Sequence, residues 1–290
     1  MSYKPKTPNH KTIMIDIQNI KFSYKDKGKP VFDDFCLRLE QNKVYGLLGE
    51  NGMGKSTLLY LLMGLLRPNE GHIMVNGIDV SRRKRTTLQQ MYIVPEEFDL
   101  PDMRFTDYVS TYIPFYEDFS NDILRCCMEE FHLPLDVRLN SLSMGDKKKA
   151  LMSFALATNV RYLLMDEPSN GLDVSSKKQF RKVVATTMTE ERMLLIATHQ
   201  LHDVEPLLDH VLILQQSQLL LNQPVADICK QYTFDVRPND ALDNDVLYSE
   251  RTMQGNACIS HRQPSDEETP LNLELLFSAI TSGQIKNIHE

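Results

Sequence analysis

Residues 49–57, Gly-Glu-Asn-Gly-Met-Gly-Lys-Ser-Thr, fit the phosphate-binding pattern G-x-x-x-x-G-K-[ST] in full. The apolar run at 44–48 precedes them and reads as a buried strand; the Leu-rich run at 58–63 follows and reads as a helix packed on a sheet. Strand, loop and helix in that order is the context the pattern needs to work. Gly49, Gly52 and Gly54 let the backbone curl so that successive N–H groups point inward at phosphate oxygens, and the helix N-terminus adds partial positive charge. Lys55 is the expected contact to β- and γ-phosphates, and Ser56 the hydroxyl for Mg²⁺. Gly49, Glu50, Asn51, Gly52, Met53, Gly54, Lys55, Ser56 and Thr57 together form the expected cradle.

A second set of residues narrows the reading. Leu142-Ser143-Met144-Gly145-Asp146 opens a segment with helical spacing at Ala150, Leu151, Phe154, Ala155 and Ala157. Tyr162-Leu163-Leu164-Met165-Asp166-Glu167 is an apolar strand ending in two carboxylates, followed at once by Pro168-Ser169-Asn170-Gly171-Leu172-Asp173. Another buried strand, 193–198, ends at His199. This order resembles the ATP-binding cassette family, with its phosphate loop, signature, acidic strand end, following loop and switch histidine, and the resemblance covers residues 13–230.

The resemblance implies ATP hydrolysis, and the residue types suit that chemistry. The reaction needs charge held, a water aimed in line and bulk solvent kept out. Asp166, at a strand end, is the expected Mg²⁺ ligand through water; Glu167 is the expected group to polarise the attacking water; His199 is expected to hold Glu167 and that water in line. Glu96 stands where the family commonly carries glutamine and offers an oxygen to Mg²⁺ or the water, at the expense of another negative charge beside two carboxylates. Tyr24 resembles the aromatic that stacks on adenine. Ser143 and the Gly145 N–H form a second anion site, which in the family binds the γ-phosphate of ATP held by an opposing subunit; Asp146 replaces the usual glutamine there. One chain therefore carries two incomplete half-sites. The expected cofactors are ATP and Mg²⁺, and the expected assembly is a head-to-tail homodimer or a heterodimer of cassettes.

The formal net charge of −7 argues against a general nucleic-acid binder. Five cysteines, an odd number without metal-ligand spacing, read as buried hydrophobes or free thiols. No run reaches the ~18 apolar residues of a membrane span. For a chain with no span of its own, the resemblance implies a separately encoded membrane permease as partner, and a chain that is cytoplasmic and peripheral on the inner face of the membrane. The family members it most resembles are bacterial exporters of drug, antibiotic or lantibiotic type. A soluble cassette ATPase acting on ribosomes or DNA is the alternative; one cassette per chain and no heptad coiled coil between Lys55 and Leu142 speak against it.

The expected fold is α/β: a parallel sheet core of P-loop NTPase kind, an antiparallel β piece, an inserted helical subdomain and a small C-terminal α/β extension. The expected divisions are a flexible N-terminus at 1–12, the cassette at 13–230 with the helical subdomain at 98–156, and an accessory region at 231–290. Residues 13–17 and 20–24 read as two strands, and 271–280 as an amphipathic helix. Phe98, Phe105, Tyr108, Tyr112, Phe115, Tyr116 and Phe119 crowd the subdomain. Two readings stand for them, subdomain core or docking face for the membrane partner.

Overall fold

The computed structural model describes residues 14–25, 28–238, 245–263 and 265–285. Residues 1–13 lie outside them, and with them the segment read as a separate N-terminus.

The chain begins with β1 (Met14–Phe22), β2 (Phe32–Glu40) and β3 (Lys43–Leu48), then α1 (Lys55–Leu62), β4 (Glu70–Val75), β5 (Ile78–Asp79), α2 (Arg85–Leu88) and β6 (Met91–Val94). A helical stretch follows: α3 (Phe105–Tyr112), α4 (Asn121–Glu130) and α5 (Met144–Ala157). Next come β7 (Tyr162–Asp166), α6 (Val174–Thr187), β8 (Met193–Thr198), α7 (Leu201–Val204), β9 (His210–Gln215), β10 (Gln218–Pro224) and α8 (Val225–Gln231). The chain closes with β11 (Tyr232–Arg237), β12 (Val246–Thr252), β13 (Gly255–His261) and α9 (Leu273–Thr281).

The central sheet has the order β10-β9-β3-β8-β7-β6, parallel throughout except for the β10 edge. β7 and β8 are buried along their whole length, as strands covered on both faces must be. Their side chains divide by the two-residue period. Leu163, Met165, Leu194 and Ile196 face one apolar cluster with α5 and α6, whereas Tyr162, Leu164, Leu195 and Ala197 face another with α1 and the antiparallel sheet. That antiparallel sheet has the order β2-β1-β4-β5. The two strands expected at 13–24 are one strand, β1. Asn19 adopts a left-handed φ of 47° and the register with β2 shifts between Ile17 and Ile20, so the polar Gln18-Asn19 pair is a bulge within a strand.

Residues 98–156 hold α3, α4 and most of α5 around their own core, in which Phe154 meets Tyr92, Tyr108, Tyr112, Tyr116 and Phe119 at ring centroid distances of 5.3–6.2 Å. Packing thus takes most of the aromatics: Phe105 and Tyr108 are buried, while Tyr112 and Phe115 remain exposed at 38% and 58%. Buried Arg192 ties this region to the sheet. It donates to the Thr187 and Leu156 carbonyls, both at 3.0 Å, near the C-terminal ends of α6 and α5, where a cation is favoured.

The C-terminal strands form a three-stranded antiparallel sheet, β11-β13-β12, against which α9 packs. Tyr232, Ile259, Leu273, Leu276 and Ile280 belong to the same apolar cluster as Leu163 and Ile196, so this sheet and the central one share a core. Among the described residues no helix is long and apolar enough to cross a membrane.

Candidate functional site

Parallel strands deliver their C-terminal ends to one edge, and here the register aligns them closely. Leu48 pairs with Thr198, Asp166 with Ala197, and Val94 with Met165. The loop after β3, the carboxylates Asp166 and Glu167, the His199 side chain and the Pro95-Glu96 segment therefore all emerge on the same rim.

The loop at 49–54 turns directly into α1. Gly54 stands at its N-cap with φ 98° and no side chain caps the helix, so the first N–H groups stay available to a ligand. A Cβ on Gly49 would lie 2.6 Å from the Leu214 carbonyl oxygen, which is why only glycine serves there. Lys55 is buried, and its ammonium donates to the Gly49 and Glu50 carbonyls at 2.7 and 3.2 Å. It also lies 3.6 Å from Glu167 Oε1. Glu50, Asn51 and Gly52 are exposed; Met53 and Ser56 are half-buried. Tyr24, 63% exposed, hydrogen-bonds through its hydroxyl with Thr57 Oγ1 at 2.9 Å, which brings its ring beside the phosphate loop.

Glu167 is the most constrained carboxylate in the molecule's rim. Its Oε2 accepts from Thr198 Oγ1 at 2.8 Å; its Oε1 accepts from the His199 N–H at 3.0 Å and lies 2.8 Å from His199 Nδ1. Its backbone is left-handed, φ 45°. Glu96 Oε1 accepts from Asn170 Nδ2 at 3.0 Å, linking the β6 end to the loop after Glu167. Sequence reasoning found Glu167, His199 and Glu96 but missed Thr198 and Asn170, whose small polar side chains carry no pattern of their own.

The residues present suit Mg²⁺. Asp166 is buried and, among the described residues, its Oδ1 has no hydrogen-bond partner. Burial pushes its carboxyl pKa up, opposed by a hydrogen bond from Ser56, and the nearby Glu167 and Glu96 charges add to the rise. A divalent cation beside Ser56 and Asp166, within reach of Glu96, would reverse that effect. Among the described residues no three His, Cys, Asp or Glu converge as a self-contained cage, so an ion held here shares its coordination with nucleotide oxygens and water.

The signature turn lies apart. Ser143 is the N-cap of α5; its Oγ accepts from the Asp146 N–H at 3.2 Å and lies 2.8 Å from Asp146 Oδ2. Lys149 Nζ sits 2.8 Å from the other Asp146 oxygen, and its hydrogen bond holds that carboxyl below its ordinary pKa. Gly145 packs near the Gly171 carbonyl. Among the described residues no hydrogen bond or ion pair joins Ser143 or Gly145 to the phosphate loop. Tyr24, the loop at 49–57, Glu96, Asp166, Glu167 and His199 are thus gathered in one place, and Ser143 and Gly145 are not among them.

Residues 32–170 match a family model described as ABC transporter. The Nod factor export ATP-binding protein I of Neorhizobium galegae is 27% identical over 228 residues, 76% of this chain and 65% of that protein. The chain therefore spans just under two thirds of that relative's length. The cobalt import ATP-binding protein CbiO of Salmonella typhi is 29% identical over 230 residues, 72% of this chain and 80% of that protein. Among solved structures, one described as the ATP binding subunit of an ABC transporter superposes with a TM-score of 0.66 at 22% identity, over 74% of this chain and 91% of that one. That likeness is one of fold, and it bears out the α/β architecture.

Proposed function

We propose, from the match of residues 32–170 to the family model described as ABC transporter, that the chain hydrolyses ATP to ADP and phosphate and drives a separate membrane permease. The observation that supports this most is the Glu167 carboxylate, held by Thr198 and His199 beside Lys55 at the mouth of the phosphate loop.

In this reading Tyr24 stacks on the base, the N–H groups of 49–57 and Lys55 hold the phosphates, and Ser56, Asp166 and Glu96 hold Mg²⁺. Bound there, Mg²⁺ would neutralise charge on the β- and γ-phosphate oxygens. Glu167 polarises the water, and His199 fixes Glu167 in the orientation that aims it. Ser143 and Gly145 complete the site of a second copy, head to tail, because one chain offers its two half-sites to different nucleotides.

The permease is proposed to dock at an open groove of about 640 Å³ lined by Arg83, Arg85, Leu88, Pro114 and Phe115, beside exposed Tyr112. The chain is then peripheral at the inner face of the membrane. Export is the proposed direction, following the likeness to the Nod factor export protein; the cobalt import relative makes this the part to test in inside-out vesicles.

Glu167→Gln is expected to keep ATP affinity and lose turnover by at least ~100-fold, and to form an ATP-dependent dimer visible by light scattering. Wild-type turnover in Glu167→Gln would overturn the assignment of the base. A strictly monomeric Glu167→Gln at saturating ATP would overturn the homodimer.

A further inference from the structure

Lys148 sits one turn into α5 and is 6% exposed. It makes no direct ion pair among the described residues; its ammonium donates to the main-chain carbonyls of Glu167 at 3.1 Å and Asn170 at 3.0 Å. A buried, unpaired ammonium is costly, and an apolar side chain of the same length would pack at this position without that cost. The three carboxylates that act on it, Glu96, Glu167 and Asp166, all belong to the rim described above.

The peptide it grips is unusual. Glu167 has a left-handed φ of 45°, a conformation that a non-glycine residue keeps only when its surroundings enforce it. Its N–H donates to the Ala197 carbonyl at 2.8 Å, and its own carbonyl accepts from the Asn170 N–H at 3.2 Å as well as from Lys148. Of these anchors only Lys148 comes from α5, the helix whose N-terminus is formed by Ser143.

We propose that Lys148 is a positioning residue for hydrolysis: it holds the Glu167 and Asn170 main chain in register with α5, so that the carboxylate of one chain is aligned only when the signature turn of that same chain is seated. The inference rests on the reading of Glu167 given under Proposed function. Asn170 carries the effect to Glu96 through its side-chain hydrogen bond. The ammonium also offsets the mutual repulsion of three carboxylates gathered in one place.

The test compares wild type, Lys148→Met, Glu167→Gln and the double variant in the full chain. Fluorescent-nucleotide titration, steady-state kinetics and single-turnover hydrolysis are read for each. Lys148→Met is expected to lower kcat about 30-fold while KM for ATP and nucleotide affinity stay within 3-fold. In the Glu167→Gln background the same substitution is expected to add less than 2-fold to the single-turnover loss, because it acts through Glu167. Parallel losses of affinity and kcat, or multiplicative losses in the double variant, would mark Lys148 as a structural support and overturn the proposal; so would wild-type kcat in Lys148→Met. Should Lys148→Met fail to fold, Lys148→Gln takes its place with the same outcomes. Equal turnover by wild type and Glu167→Gln would instead remove the underlying reading, and is distinguished by not involving Lys148.

Discussion

The N-termini of α1 and α5 are built in opposite ways. At α1 the approach is glycine, no side chain caps the helix, and a buried lysine lies across the mouth. At α5 the N-terminus is already occupied by the chain itself: Ser143 and Asp146 cap each other and Lys149 holds the carboxylate in place. The first keeps its donors for a ligand and depends on backbone geometry to do so. The second commits its serine internally, the hydroxyl taking the Asp146 N–H and facing the Asp146 carboxylate, so a phosphate arriving at the other N–H groups of the turn must displace that hydroxyl from its aspartate partner and approach a negative charge. In the dimer proposed above, one open turn and one guarded turn would favour closure only when nucleotide is present.

The largest expected effect lies on the open side. Lys55→Ala should weaken ATP binding about 100-fold, the ~3 kcal/mol of a lost charge-assisted contact, read by isothermal titration. Unchanged affinity would mean that the two turns do not differ as described.

Glycine substitution should separate them next. Gly49→Ala drives a Cβ to 2.6 Å from a fixed carbonyl oxygen and should lower thermal stability by ~1–3 kcal/mol. Gly145→Ala meets nothing nearer than 3.5 Å, so melting should stay within ~0.5 kcal/mol while ATP-driven association drops. Comparable melting losses in both would break the contrast.

The smallest effect concerns the guard itself. Asp146→Gln frees the Ser143 hydroxyl and removes the charge, and should strengthen ATP-driven association by about 3-fold, on the order of 0.5–1 kcal/mol for one exposed charge near a helix end. The Asp146 carboxyl is held below its ordinary 3.8 by Lys149. Its contribution is therefore complete above that value and lost as pH falls through the lower folded value. Melting curves of wild type and Asp146→Gln should accordingly keep a constant gap above the ordinary carboxyl value of 3.8 and converge only as pH falls below it. A gap that widens on acidification would show the carboxylate to be unpaired.

The placement of the 49–57 loop, of Asp166 and Glu167 at one strand end and of His199 after the next strand was legible because strand, turn and helix chemistry write them into contiguous residues. So was the helical subdomain, from spacing at three and four. The rest failed for separate physical reasons. Gln18-Asn19 looks like a strand break, and only pairing with β2 makes it a bulge. The aromatics at 98–119 carry no local mark distinguishing core from surface; Phe154, distant in sequence, decides it. Lys148 was hidden by its charge, although Leu151, Met152 and Ala155, three, four and seven residues on, place it on the buried face of α5.

The shared core of the C-terminal sheet has a consequence for how the protein comes apart. Ile259, Leu273 and Ile280 pack into the same cluster as Leu163 and Ile196, strands that end at the phosphate rim. Heat cannot melt one sheet while leaving the other dressed in apolar contacts, so both are expected to unfold in a single cooperative transition. A ligand that binds only the folded chain raises that transition for every residue in it. A probe attached at exposed Met253, on the β12–β13 turn, would then register nucleotide as a shift in melting temperature without touching the nucleotide at all.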